Sequence, residues 1–151
     1  MTQDSTAQQD IEEELRNWAR GMNSVAAGIE LLIHQGRTIY PGAPRIKLEN
    51  DRTYLDSEAL HSSTQTYSGG EQRVIAIAVS LLNGTPIDLS DKITGLDYRS
   101  TELVLAAIAQ TAGFVTETRS IGLVNGSLGR ITLNPLFTWP TTARTNGDPR
   151  E

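Results

Sequence analysis

The stretch Ser68-Gly69-Gly70-Glu71-Gln72-Arg73 holds the densest set of groups in this chain that could do chemistry. A hydroxyl, two glycines that leave backbone N–H groups approachable, and an arginine precede the apolar run Val74 to Leu82. Free N–H groups and the positive end of a helix dipole together suit a phosphate or another anion. Ser68, Gly69, Gly70 and Arg73 are therefore the candidate anion- or nucleotide-binding residues. The same letters have a second reading that needs no ligand. Ser68-x-x-Glu71 before an apolar run is a capping box, in which the hydroxyl accepts from the N–H three residues on and the glutamate reaches back to the N–H of Ser68. Such a cap contributes on the order of 1 kcal/mol. The cap is the preferred reading.

Other constellations are thin. The chain has two histidines, His34 and His61, and no cysteine. No H-E-x-x-H spacing and no G-x-S-x-G turn occurs, so neither a zinc site nor a serine nucleophile is expected. The run Glu12-Glu13-Glu14 reads as a solvated first helical turn, where the dipole favours acids. The expectation is a non-enzymatic protein with no catalytic residue, no metal and no cofactor.

After Arg73 the order is an apolar run, Asn83-Gly84-Thr85-Pro86, Ile87-Asp88-Leu89-Ser90-Asp91, then Thr94-Gly95-Leu96-Asp97. Residues 67–105 thereby resemble the segment of cassette ATPases that runs from the signature sequence to the loop aspartate. The resemblance puts Asp91 at the place of the catalytic glutamate and Asp97 at the place of the loop aspartate. Ser90 stands where that family has its magnesium-associated aspartate, and a hydroxyl is a weaker ligand for a hard cation. The phosphate-cradling G-x-x-x-x-G-K-S/T is absent, and no Gly-Lys pair exists in the chain. Residues 15–113 are also similar to small actinobacterial proteins that share Trp-Ala-Arg, an apolar helix, a Pro-rich hairpin, Ser-Gly-Gly-Glu-x-Arg and Thr-Gly-Leu-Asp in that order. That resemblance implies a mostly helical domain and no particular activity.

At 151 residues with a net charge of −5, the chain is long enough for one real core and too acidic for a broad phosphate-binding footprint. Arg16, Arg20, Arg37, Arg45, Lys47 and Arg52 concentrate in the first third. If they gathered on one face they would support nucleic-acid association, the second alternative function. Met1-Thr2-Gln3-Asp4-Ser5 lacks the basic and apolar stretches of a signal peptide, and no apolar run approaches a membrane span. A soluble cytoplasmic protein is expected.

Local patterns place the elements. Residues 1–9 are polar and expected to be disordered. Asp10 is positioned to cap a helix to about Arg20, and Asn23 to cap a second that Gly36 closes. Residues 45–55 read as a short hairpin, and Asp56 or Ser57 as the start of a brief helical turn. The Ser68-capped helix, about 69–82, is apolar nearly all round and reads as central. Ser90 is expected to cap a short helix, and Asp97 a longer one with Leu103, Val104, Ala107, Ile108 and Thr111 on its inner face. Asn125-Gly126 marks a second hairpin near 120–134. The fold class is mainly α (α+β): four to five helices around the 69–82 helix, a single domain over 10–139, and a loose tail over 140–151. Trp139, with Phe137 beside it, either folds back over the core or belongs to an exposed docking surface. These two residues are the candidate interaction site for an unknown protein partner, the first-choice functional reading.

Overall fold

A computed structural model describes residues 2–141. Among them are six helices and two two-stranded antiparallel sheets. The chain is mainly α.

Helix α1 (Thr2–Ala19) starts well before Asp10. Residues 2–9, expected to be disordered, are helical. A long-range bond that local sequence does not display holds this turn: Gln8 Nε2 donates to the Ile39 carbonyl at 3.0 Å and to Glu12 at 2.8 Å. Gly21, at φ 85, breaks the chain before α2 (Asn23–Gln35). Asn23 does not cap α2. Met22 holds the N-cap position and no side chain accepts there, while Gly36 closes the other end in the left-handed region as expected.

From Ser24 to Gln35 no residue is exposed, because α1, α4 (Gly69–Asn83) and α6 (Tyr98–Ala112) all pack on α2. Helix α4 is buried as its sequence foretells, with no exposed residue from Glu71 to Leu82. Helix α2 shares that central place with it. Gly28 permits the α2–α4 approach, since a Cβ there would stand 3.0 Å from Leu82 Cγ and 3.2 Å from the Ala78 carbonyl oxygen. Leu15, Ala19, Ile29, Leu31, Leu32, Val74, Leu103 and Ala107 form the core between these four helices.

Strands β1 (Ile46–Glu49) and β2 (Arg52–Leu55) pair around Asn50-Asp51. Both turn residues have positive φ, as a two-residue hairpin turn requires. This hairpin leans on α1, with Tyr54 tilted against Trp18 at 6.4 Å. Helix α3 (Ser57–Ser63) is capped by Asp56, and α5 (Leu89–Ile93) by Asp88. The expected cap at Ser90 is thus corrected: Asp88 precedes it, and its carboxylate takes the N–H of Asp91. The second hairpin, β3 (Thr118–Val124) and β4 (Ser127–Leu133), turns at Asn125-Gly126 and keeps seven continuous pairs. The expected loose tail falls almost wholly outside the described residues, which end at Thr141.

Candidate functional site

The start of α4 is built as a cap. Ser68 Oγ accepts from the Glu71 N–H at 3.2 Å, and Glu71 Oε1 accepts from the Ser68 N–H at 3.3 Å. The other carboxylate oxygen of Glu71 takes Arg37 Nε at 2.7 Å, and the Arg37 guanidinium lies 5.7 Å from the Tyr67 ring centre. Gly69 and Gly70 face open space. Arg73 has no acidic partner among the described residues, and its Nη1 lies 2.7 Å from where a Cβ on Gly95 would stand. Gly95, at φ +88, holds the left-handed conformation that favours glycine. The positive end of α4 thus already holds one carboxylate, which repels a second anion at the same place.

The carboxylates at the cassette-like positions have local roles. Asp88 accepts from Ser90 Oγ at 2.8 Å and from the Asp91 N–H at 3.3 Å, and these bonds hold its carboxyl below the ordinary range. Asp91 sits exposed in the first turn of α5, 3.0 Å from Lys92. Asp97 accepts the Ser100 N–H at 2.7 Å as the cap of α6. Among the described residues no three His, Asp or Glu side chains converge.

Three of the six basic residues of the first third are engaged within the chain. Arg45 is buried, donating to the Thr38 carbonyl at 2.6 Å and to Ser63 at 3.2 Å. Arg16 holds both carboxylate oxygens of Glu30, at 2.5 and 3.2 Å, and Arg37 is engaged by Glu71. His34 Nε2 stands 3.4 Å from Glu30. Burial opposes the Glu30 charge, but the hydrogen bonds from His34 and Arg16 outweigh it and hold the carboxyl below its ordinary value. The bond to Glu30 likewise raises the Arg16 guanidinium, against the lowering by burial. A surface cleft of about 320 Å³ lies between α1 and the first hairpin, lined by Glu14, Trp18, Leu48 and Arg52 among others.

The last third carries the surface that local reasoning did not find. Trp139 folds back onto the helices, stacking on His34 at 4.7 Å and 14°, while its indole N–H donates to Gln110 Oε1 at 2.6 Å. Phe137 is half-buried beside a shallow cleft it shares with Glu102, Pro135 and Leu136. Leu136, next to it, is 74% exposed. Beyond these residues the β3–β4 hairpin projects as an arm. Ile121, Leu123 and Leu128 are 72%, 75% and 79% exposed and lie on one face, because Leu123 pairs with Leu128 and Ile121 is two residues from Leu123. Alternation along β3 suggests an inner and an outer face, yet both are open. The opposite face carries Val124, Ile131 and Leu133 around the Gly122–Gly129 pair, so apolar residues stand on both faces and the sequence does not say which one is covered.

Compared with protein-family models, with characterised proteins and with solved structures, the chain matches none.

Proposed function

We propose that this chain is a non-enzymatic accessory or regulatory factor that acts through protein contacts, and that the β3–β4 arm with the return segment 134–137 is its contact surface. The observation that carries this reading is the apolar face of Ile121, Leu123 and Leu128 on the arm, each 72–79% exposed. Contiguous exposed apolar surface of this kind marks interaction sites on soluble proteins. A two-stranded hairpin is also marginal by itself and gains stability when another surface covers it. The test compares proteins that co-purify with the wild-type chain and with a Leu123→Ser/Leu128→Ser variant in the native cell. Loss of specific partners with the variant is expected. An unchanged partner set, or ATP hydrolysis that vanishes with Asp91→Ala, refutes the reading.

A second reading, anion or nucleotide binding at the start of α4, is supported by the open Gly69 and Gly70 and by Arg73, which has no acidic partner among the described residues. The Glu71 carboxylate weighs against it. Calorimetry with phosphate, ADP and ATP decides: it requires binding heat that Arg73→Ala removes.

A further inference from the structure

The arm has two free edges, and they are not equivalent. Its two-residue turn makes Val124 and Ser127 a pair that exchanges hydrogen bonds. By alternation, residues 118, 120, 122 and 124 direct their N–H and C=O groups to β4, while Arg119, Ile121 and Leu123 direct theirs outward. On β4 the outward set is Leu128, Arg130 and Thr132. No third strand among the described residues covers either edge. Residues 118–133 contain no proline, lysine or acid, and the pairing has no bulge. Apart from the two arginines, the devices that usually blunt an exposed edge are therefore absent.

Charge selects which edge can pair with itself. The only charged residues of the arm are Arg119 and Arg130. Antiparallel pairing of β4 with β4 of a second copy, in full overlap, centres on Arg130 and sets two guanidinium groups directly opposite each other. Like charges so placed are destabilising. The same operation on β3 centres on Ile121, so Ile121 meets its own counterpart and Arg119 meets Leu123. The residues with outward backbone groups are then those that exchange hydrogen bonds, about six between the copies. Antiparallel partners share a face, so Ile121, Leu123 and Leu128 of both copies come to lie on one side of a four-stranded sheet.

We propose that two copies of this chain associate through β3, antiparallel and centred on Ile121. The proposal rests on the reading of the arm as a contact surface and names one occupant of it. The contact is isologous, closes on itself and leaves no further β3 edge for growth. One strand pair is small beside a standard interface of about 1,200–2,000 Å², so the dimer dissociates on dilution.

The chain has no cysteine, so a single introduced one reports its own neighbour. Hydrogen-bonded antiparallel residues stand about 5.5 Å apart between Cα atoms, within the disulfide range of about 4.4–6.8 Å. Under mild oxidation Ile121→Cys is expected to yield a linked dimer at concentrations where Arg130→Cys remains monomeric. Sedimentation of the wild-type chain is expected to show a dimer fraction that rises with concentration and falls in Ile121→Lys, with circular dichroism confirming that each variant is folded. A wild-type chain monomeric up to near-millimolar concentration overturns the proposal, as does equal cross-linking at positions 121 and 130. A monomeric chain that still loses cellular partners with Leu123→Ser/Leu128→Ser refutes self-pairing alone and leaves the contact-surface reading standing.

Discussion

Replacing Ser68 by alanine separates the two roles its surroundings allow. The substitution removes the acceptor for the Glu71 N–H and leaves that donor at an exposed helix start, where water replaces the hydroxyl. N-cap losses cost about 0.5–2 kcal/mol. The two box bonds, at 3.2 and 3.3 Å, are longer than the usual 2.9–3.0 Å, and Glu71 keeps its ion pair with Arg37. Both facts place Ser68→Ala in the lower half of the range, about 0.5–1 kcal/mol. For a domain of this size that corresponds to a fall in Tm of roughly 1–4 °C. Asp97→Ala removes a charged acceptor at 2.7 Å and should cost more, about 1–2 kcal/mol. Urea and thermal melts of the three proteins, each with and without phosphate, measure these differences. The expected order of stability is wild type, Ser68→Ala, Asp97→Ala, unchanged by phosphate. A Ser68→Ala chain as stable as the wild type, or a phosphate-induced stabilisation that the variant lacks, refutes the argument that this serine serves the helix.

Gly28→Ala should destabilise by about 1 kcal/mol despite a helix-propensity gain of similar size, because the added methyl meets the Ala78 carbonyl at 3.2 Å and overpacking costs about 1–3 kcal/mol; a rise in Tm would mean that α2 and α4 can separate freely. Glu30→Gln should lower stability at neutral pH by about 1 kcal/mol, discounted because Arg16 is 46% exposed. The folded Glu30 carboxyl is held below its ordinary value, so its contribution is full above about pH 4.3 and fades as pH falls through the depressed value. Melts of both proteins from neutral to acid pH should therefore converge, and a constant gap would contradict the assigned cause.

Signals confined to a few neighbouring residues were legible in the sequence. Ser68 with Glu71, Asp97, Asp56, the glycines at 36, 84 and 113, and the Asn125-Gly126 turn each stand where their local chemistry places them. What escaped depends on distant parts of the chain. The first turns of α1 are fastened by Ile39, whose relation to Gln8 no local pattern reveals. Arg45 reads as a surface charge and is buried because a loop carbonyl, Thr38, waits for it. Ile108 fits the inner stripe of α6 by spacing, yet is 49% exposed, while Ala106 and Ala109 take the buried positions. Small residues there let the helices approach closely, and hydrophobicity alone does not rank them above isoleucine. At the candidate site the cap was readable and the arm was not. Alternation announces a strand without saying whether anything lies against it.

The arm is moored at both ends. Thr118 Oγ1 donates to the Gly113 carbonyl where β3 leaves α6, and after β4 the Leu136 N–H donates to the Phe114 carbonyl before Trp139 stacks on His34 of α2. A seven-residue strand reaches about 23 Å, and a ribbon of that length tethered at a single root would swing. With a bond at each root, both strands of the arm leave the helical body from fixed points beside α6 and α2.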